Sequence, residues 1–167
     1  AKAKLAEAEA EFRNALSINR RQARAYDNLA IMLALQGKFA DAEPLLREVL
    51  LQRRRLLGED YPDTLNAMEN LGELLRVADR PDEAEPLLRE ALTSYRRVLG
   101  EDHPETLIAI NNLGLVYYAS HRYDKAEEAF RKALELQPDL TNAQENLKLT
   151  LDVGGTTIVS HPLENLR

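Results

Sequence analysis

Apolar and small residues recur at three- and four-residue steps along most of the chain. One set falls at Ile110, Leu113, Gly114 and Tyr117, and a second at Ala126, Phe130, Ala133 and Leu134. Each set lies on one face of a helix, because about 3.6 residues complete a turn. Ser120-His121-Arg122 between them reads as a short turn, so the segment predicts two antiparallel helices. Pro104 and Pro138 punctuate its ends, since proline is tolerated only near a helix start or outside it. Gly37 predicts a left-handed cap on the first helix of an earlier pair, with Asp79 and His121 at the same point later on. Pro44 and Pro86 fall near the start of second helices and predict a slight kink.

The pattern itself repeats. Ala42-Glu43-Pro44-Leu45-Leu46-Arg47-Glu48 is identical to Ala84-Glu85-Pro86-Leu87-Leu88-Arg89-Glu90. Leu57-Gly58-Glu59-Asp60-Tyr61-Pro62 and Leu99-Gly100-Glu101-Asp102-His103-Pro104 differ only by Tyr61 against His103. About 20 of the 42 aligned positions are identical between 23–64 and 65–106. Asn112 and Asn146 stand 34 residues apart, as do Ala8 and Ala42. The longer units owe their extra length to second helices running through Arg54-Arg55-Leu56-Leu57 and Arg96-Arg97-Val98-Leu99, each followed by a Gly-Glu-Asp-x-Pro loop. A period of this length marks stacked helical hairpins, each burying its apolar face on its neighbours.

The ends of the array are also legible. Lys4–Asn19 predicts a second helix, with Leu5, Phe12, Ala15 and Leu16 on its apolar face. Its partner would precede residue 1, so the sequence is expected to belong to a longer chain. Asn142–Leu151 predicts one more first helix. Lys148 stands there where the packed units carry Ala30, Gly72 and Gly114, so this helix is expected to cap the array with a solvated face. The organisation expected is a second helix over 3–22, repeats at 23–64, 65–106 and 107–140, a capping helix over 141–153, and an extended tail over 154–167.

Composition narrows the function. Lys+Arg 22 against Asp+Glu 28 leaves a net charge of −6, which disfavours a sequence-independent nucleic-acid binder. There is no cysteine for a disulfide, a thiolate metal site or a thiol nucleophile. No apolar run approaches a membrane span and no signal peptide is evident, so a cytoplasmic setting without membrane contact is expected. Gly37-Lys38-Phe39 lacks the following Ser or Thr of a P-loop, and neither His-Glu-x-x-His nor Gly-x-Ser-x-Gly occurs. Asp152-Val153-Gly154-Gly155-Thr156-Thr157 resembles the phosphate-binding hairpin of sugar kinases and actin-like proteins. That hairpin works only inside a large sheet domain, and a helix stop followed by a tail explains the residues instead. His103 reads as an exposed loop residue and Arg53-Arg54-Arg55 as a solvated helix face. No catalytic residue, metal or cofactor is expected.

The order Ile110, Leu113-Gly114, Tyr117, Ala126, Phe130, Ala133, Pro138 resembles the signature of the tetratricopeptide repeat (TPR) family. The two longer units resemble the repeats of kinesin light chains. Similar units occur in bacterial proteins beside nucleotide-switch or kinase domains. The resemblance implies an all-α, right-handed α-solenoid of antiparallel helix pairs. First helices would line a concave groove that holds an extended peptide or a partner helix. Opposite the packed stripe, the first helices carry Arg24, Asp27, Asn28, Ile31, Ala34 and Leu35, then Asn66, Glu69, Asn70, Glu73, Arg76 and Val77. The later ones carry Ile108, Asn111, Asn112, Leu115, Tyr118 and Ala119, then Asn142, Glu145, Asn146 and Leu149.

One register position is always asparagine: Asn28, Asn70, Asn112 and Asn146. Asparagine is a mediocre helix-interior residue, so helix stability does not explain the choice. Its amide offers both a donor and an acceptor. The resemblance implies that it grips the backbone of a bound peptide; the alternative is a bridge between neighbouring helices. The clamp of basic residues that holds carboxylate tails in chaperone-binding TPR domains is incomplete here, with Asp27, Ile108 and Asn112 at the matching positions. Acidic Asp27, Glu69, Glu73 and Glu145 outnumber Arg24 and Arg76, so the expected ligand is a neutral to basic protein segment. Its apolar anchors would sit near Ile31, Ile108, Leu115 and Tyr118. Two further readings remain open: homotypic assembly through exposed solenoid ends, and a regulatory sensor segment of a larger signalling enzyme.

Overall fold

Every apolar stripe in the described region forms a helix. The computed structural model describes residues 22–154. Helical residues 22–35 (α1) are followed by α2 (Phe39–Leu57), α3 (Pro62–Val77), α4 (Pro81–Leu99), α5 (Pro104–Ala119), α6 (Tyr123–Leu136) and α7 (Thr141–Gly154). Among the described residues there is no strand. The second helix expected at Lys4–Asn19 and the tail beyond Gly154 lie outside the described residues. The chain divides into two compact units, Ala1–Ala67 and Met68–Arg167, with the boundary inside α3.

In the first unit, Ala30, Ala42, Leu46, Val49 and Leu65 are buried. α1 ends as its glycine predicts. Gly37 adopts φ 73°, Lys38 N–H donates to the Leu33 carbonyl at 2.9 Å, and Gly37 N–H to that of Ala34 at 2.9 Å. That pair of bonds satisfies carbonyls the helix end would otherwise leave open. α2 runs 19 residues, through Leu57, as the sequence implies. Pro44 is its sixth residue, just past the turn where proline is free of cost, and the helix continues beyond it.

In the second unit the same hairpin recurs. Asp79 (φ 60°) and His121 (φ 59°) take the left-handed position without a glycine. Arg80 N–H reaches the Leu75 carbonyl at 2.8 Å, and Arg122 N–H that of Tyr117 at 2.9 Å. The two glycines at the helix contacts are required by space. A Cβ at Gly72 would stand 2.7 Å from Leu88 Cδ2, and one at Gly114 would stand 2.6 Å from Phe130 Cε1. The fully buried Phe130 ring thus rests on the α5 backbone. α4 packs on α5, α5 on α6 and α6 on α7, while the first helices α5 and α7 also touch. Lys148, in the glycine register of α7, is exposed, as its size demands.

The Gly-Glu-Asp-x-Pro loops are built alike in both places. Thr64 Oγ1 donates to the Gly58 carbonyl at 2.7 Å, and Thr106 Oγ1 to the Gly100 carbonyl at 2.7 Å. Arg54 pairs with Glu59 at 2.9 Å, and Arg96 with Glu101 at 2.7 Å. Proline then opens the next helix, where its missing N–H costs nothing.

Candidate peptide-binding face

On α5 the buried stripe of Ile110, Leu113, Gly114 and Tyr117 turns toward α4 and α6. At 100° per residue, Ile108, Asn112 and Leu115 point the other way. Ile108 is 43% exposed, and Asn112, Leu115 and Tyr118 are half-buried. Tyr118 meets Tyr123 edge to face, with ring centroids 5.5 Å apart. The equivalent face of α7 carries exposed Glu145 and Leu149 beside half-buried Asn146. That of α3 carries half-buried Glu69 and Asn70, exposed Glu73, and Arg76. Arg76 holds Glu73 through two bonds of 2.7 Å each, and that contact outweighs burial to raise the guanidinium pKa further.

Glu69 is the most perturbed carboxyl on this face. Tyr95 Oη donates to its Oε2 at 3.1 Å, and Asn112 Nδ2 to its Oε1 at 3.2 Å. Burial pushes its pKa up from 4.5 to about 6, against the pull of those two donors, and Glu105 adds to the rise. Burial and the facing carboxylate push the Tyr95 hydroxyl well above the ordinary tyrosine range. Asn112 therefore ties α5 to α3. Asn146 does the same between α7 and α5, where its Nδ2 donates to Asn111 Oδ1 at 3.0 Å.

Several residues placed on the face by sequence spacing lie inside instead. Asn111 is 6% exposed, because it faces α7 and accepts from Asn146. Asp27 is 9% exposed, because Arg53 reaches across to it: Nη2 meets Oδ2 at 2.7 Å, and Nη1 donates to the Asp63 carbonyl at 3.1 Å. Arg53 is thus an internal counter-charge and not part of a solvated run. Its sequence signal was the register it shares with Tyr95, 42 positions on, as Asp27 shares one with Glu69. Arg24, Asn28 and Ile31 stay exposed on α1 within the first unit, as does Asn66 on α3. Among the described residues, Asn28 and Asn70 keep amides that no other side chain occupies.

Among the described residues, no group of three or more His, Asp or Glu is gathered as for a metal, and no helix is long and apolar enough to cross a membrane.

Stacked hairpins of this form, with small residues at the helix crossings, define an α-solenoid of helical repeats. The sequence profile of the tetratricopeptide repeat matches residues 21–97 and 68–139, and the chain belongs to that family. The fold is similar to that of BtubC (BKLC) from P. vanneervenii, at TM-score 0.71 and 22% identity, over 92% of this chain and 70% of that one. It is also similar to a protein described as a kinesin light chain from Podosopora anserina with nearly identical TPR-like repeats. There the TM-score is 0.62 and the identity 20%, over 83% of this chain and 78% of the other. No curated protein matches the sequence. Tetratricopeptide repeats generally mediate protein–protein interaction and are generally not enzymes.

Proposed function

We propose that the chain is a binding scaffold that takes an extended protein segment on the face formed by α3, α5 and α7. The observation that carries this reading is the pairing of exposed apolar side chains with amides in one register. Ile108 stands beside Asn112, and Leu149, 54% exposed, beside Asn146. Apolar anchors give the segment buried area, while amides meet its backbone N–H and C=O whatever its sequence. Asn70 is the amide best placed for that task, since Asn112 and Asn146 already spend a donor on Glu69 and Asn111. Charge selects the ligand. Glu73 is neutralised by Arg76, but Glu69 and Glu145 have no basic partner among the described residues, so neutral to basic segments are favoured.

Selection from a random peptide library displayed on phage tests this directly. The enriched peptides are expected to be neutral or basic and to carry a large apolar residue. Asn70→Ala combined with Ile108→Ser should weaken them by at least about tenfold while helicity and melting stay unchanged. Peptides that bind the double variant as well as the parent would refute the assignment.

A further inference from the structure

A second surface lies on the other side of α5, wholly within the second unit. Arg89, Leu92 and Arg96 of α4 form one wall of an open trough, and Lys125, Ala129 and Lys132 of α6 form the other. Each set follows the three-, four- and seven-residue steps of a single helix face. Ile110, Leu113 and Tyr117 of α5 make the floor, and the cavity measures about 370 Å³. The four cations stand at the corners, separated along each wall by two helical turns, or roughly 10 Å.

Within the trough the cations have one acidic neighbour, Glu128. Their other partners lie outside it: Arg89 reaches Glu85 at 3.4 Å, Arg96 reaches Glu101 at 2.7 Å, and Lys132 reaches Glu135 at 3.8 Å. Such exposed pairs are weak and readily exchanged for a better partner. Lys125 rests over the Tyr117 ring, 5.6 Å from its centroid. Four cations and one carboxylate thus line the trough itself, in a chain of net charge −6.

We propose that this trough docks an acidic amphipathic segment of a partner protein. Its apolar side chains would lie against Leu92, Leu113 and Tyr117, and its carboxylates would meet the four corners. The trough's apolar floor favours such a segment over a nucleic acid, whose backbone offers charge without apolar side chains. This surface is independent of the face on α3, α5 and α7, and its occupant has the opposite charge.

The probe is a fluorescein-labelled peptide about 12 residues long, with glutamate and leucine at helical spacing. Fluorescence polarisation on the full chain is expected to show saturable binding. The triple variant Arg89→Glu, Lys125→Glu, Lys132→Glu should weaken it at least tenfold. A matched reversal outside the trough, Lys38→Glu, Arg55→Glu, Arg97→Glu, should change it less than about threefold. Replacing the leucines of the peptide by alanine should also cost about tenfold. The proposal is overturned if the peptide does not bind, if both triple variants lose affinity equally, or if the leucine-free peptide binds as well. It is likewise overturned if a single-stranded oligonucleotide binds the trough more tightly than the peptide.

Discussion

Two repeats place an acid at the same register and answer it differently. In the first, Asp27 meets Arg53 at 2.7 Å, with both side chains nearly buried at 13% and 12% exposure. In the second, 42 positions on, Glu69 meets Tyr95 and Asn112. The apolar stripe, the Pro-bearing second helix and the Gly-Glu-Asp-x-Pro loop are copied between them almost unchanged. The polar node is not copied. One is an ion pair with no net charge, while the other leaves a carboxylate with two neutral donors and a pKa raised to about 6. Repetition therefore conserves what packs and loops, and it is free to vary the few polar positions that set local charge. Those are the positions through which one scaffold acquires its own ligand preference.

Breaking the ion pair has the largest expected effect. Asp27→Ala leaves Arg53 buried without its counter-charge and should cost about 3 kcal/mol in urea unfolding. A cost below about 1 kcal/mol would mean that the two nodes are energetically alike, because that is the range of an exposed pair.

The second effect depends on pH. The folded pKa of Glu69 lies above its ordinary value, so the folded state holds the proton more tightly. Its contribution to stability is present below pH 4.5 and is lost as pH rises through about 6. The rise from 4.5 to about 6 amounts to about 2 kcal/mol. Glu69→Gln should therefore stabilise the protein by about that amount at pH 7 and by almost nothing at pH 4. Parallel stability–pH curves for the two proteins would show that the node carries no such charge. Asp27 offers the contrast, since the same substitution there, Asp27→Asn, strands a cation and should destabilise at pH 7.

Tyr95→Phe is the mildest of the three. It removes one donor from the ionised Glu69, costs about 1.5 kcal/mol at pH 7, and moves the Glu69 titration still higher. Nuclear magnetic resonance of the Glu69 carboxyl carbon reads that shift, and a downward movement would reverse the role given to Tyr95.

The residues that pack were the ones most legible in the sequence. Helical spacing located the hairpins, and Gly37, Asp79 and His121 announced the left-handed turns that their φ angles display. Gly72 and Gly114 marked close contacts, because one register held only small residues until Lys148. The polar ties were harder to read. In Arg53-Arg54-Arg55, successive residues point about 100° apart, so only one of the three turns inward, and composition does not say which. Arg53 finds Asp27 across 26 positions, and Asn146 finds Asn111 across 35. No local pattern encodes such a partner. Spacing alone accordingly turns Asn111 and Asp27 toward a ligand, whereas they face a neighbouring helix. Asn70 is half-buried and Ile108 43% exposed, and among the described residues neither has a side-chain tie across a helix contact.

The first-helix face, with its asparagine amides, is the surface proposed to receive the ligand. Side-chain amide resonances report on it most directly. On titration with a library-selected neutral or basic peptide, the Asn70 amide pair and the Ile108 and Leu149 methyl groups should shift together and saturate with one affinity. Shifts confined to the trough between α4 and α6, with Asn70 and Ile108 unmoved, would contradict the account.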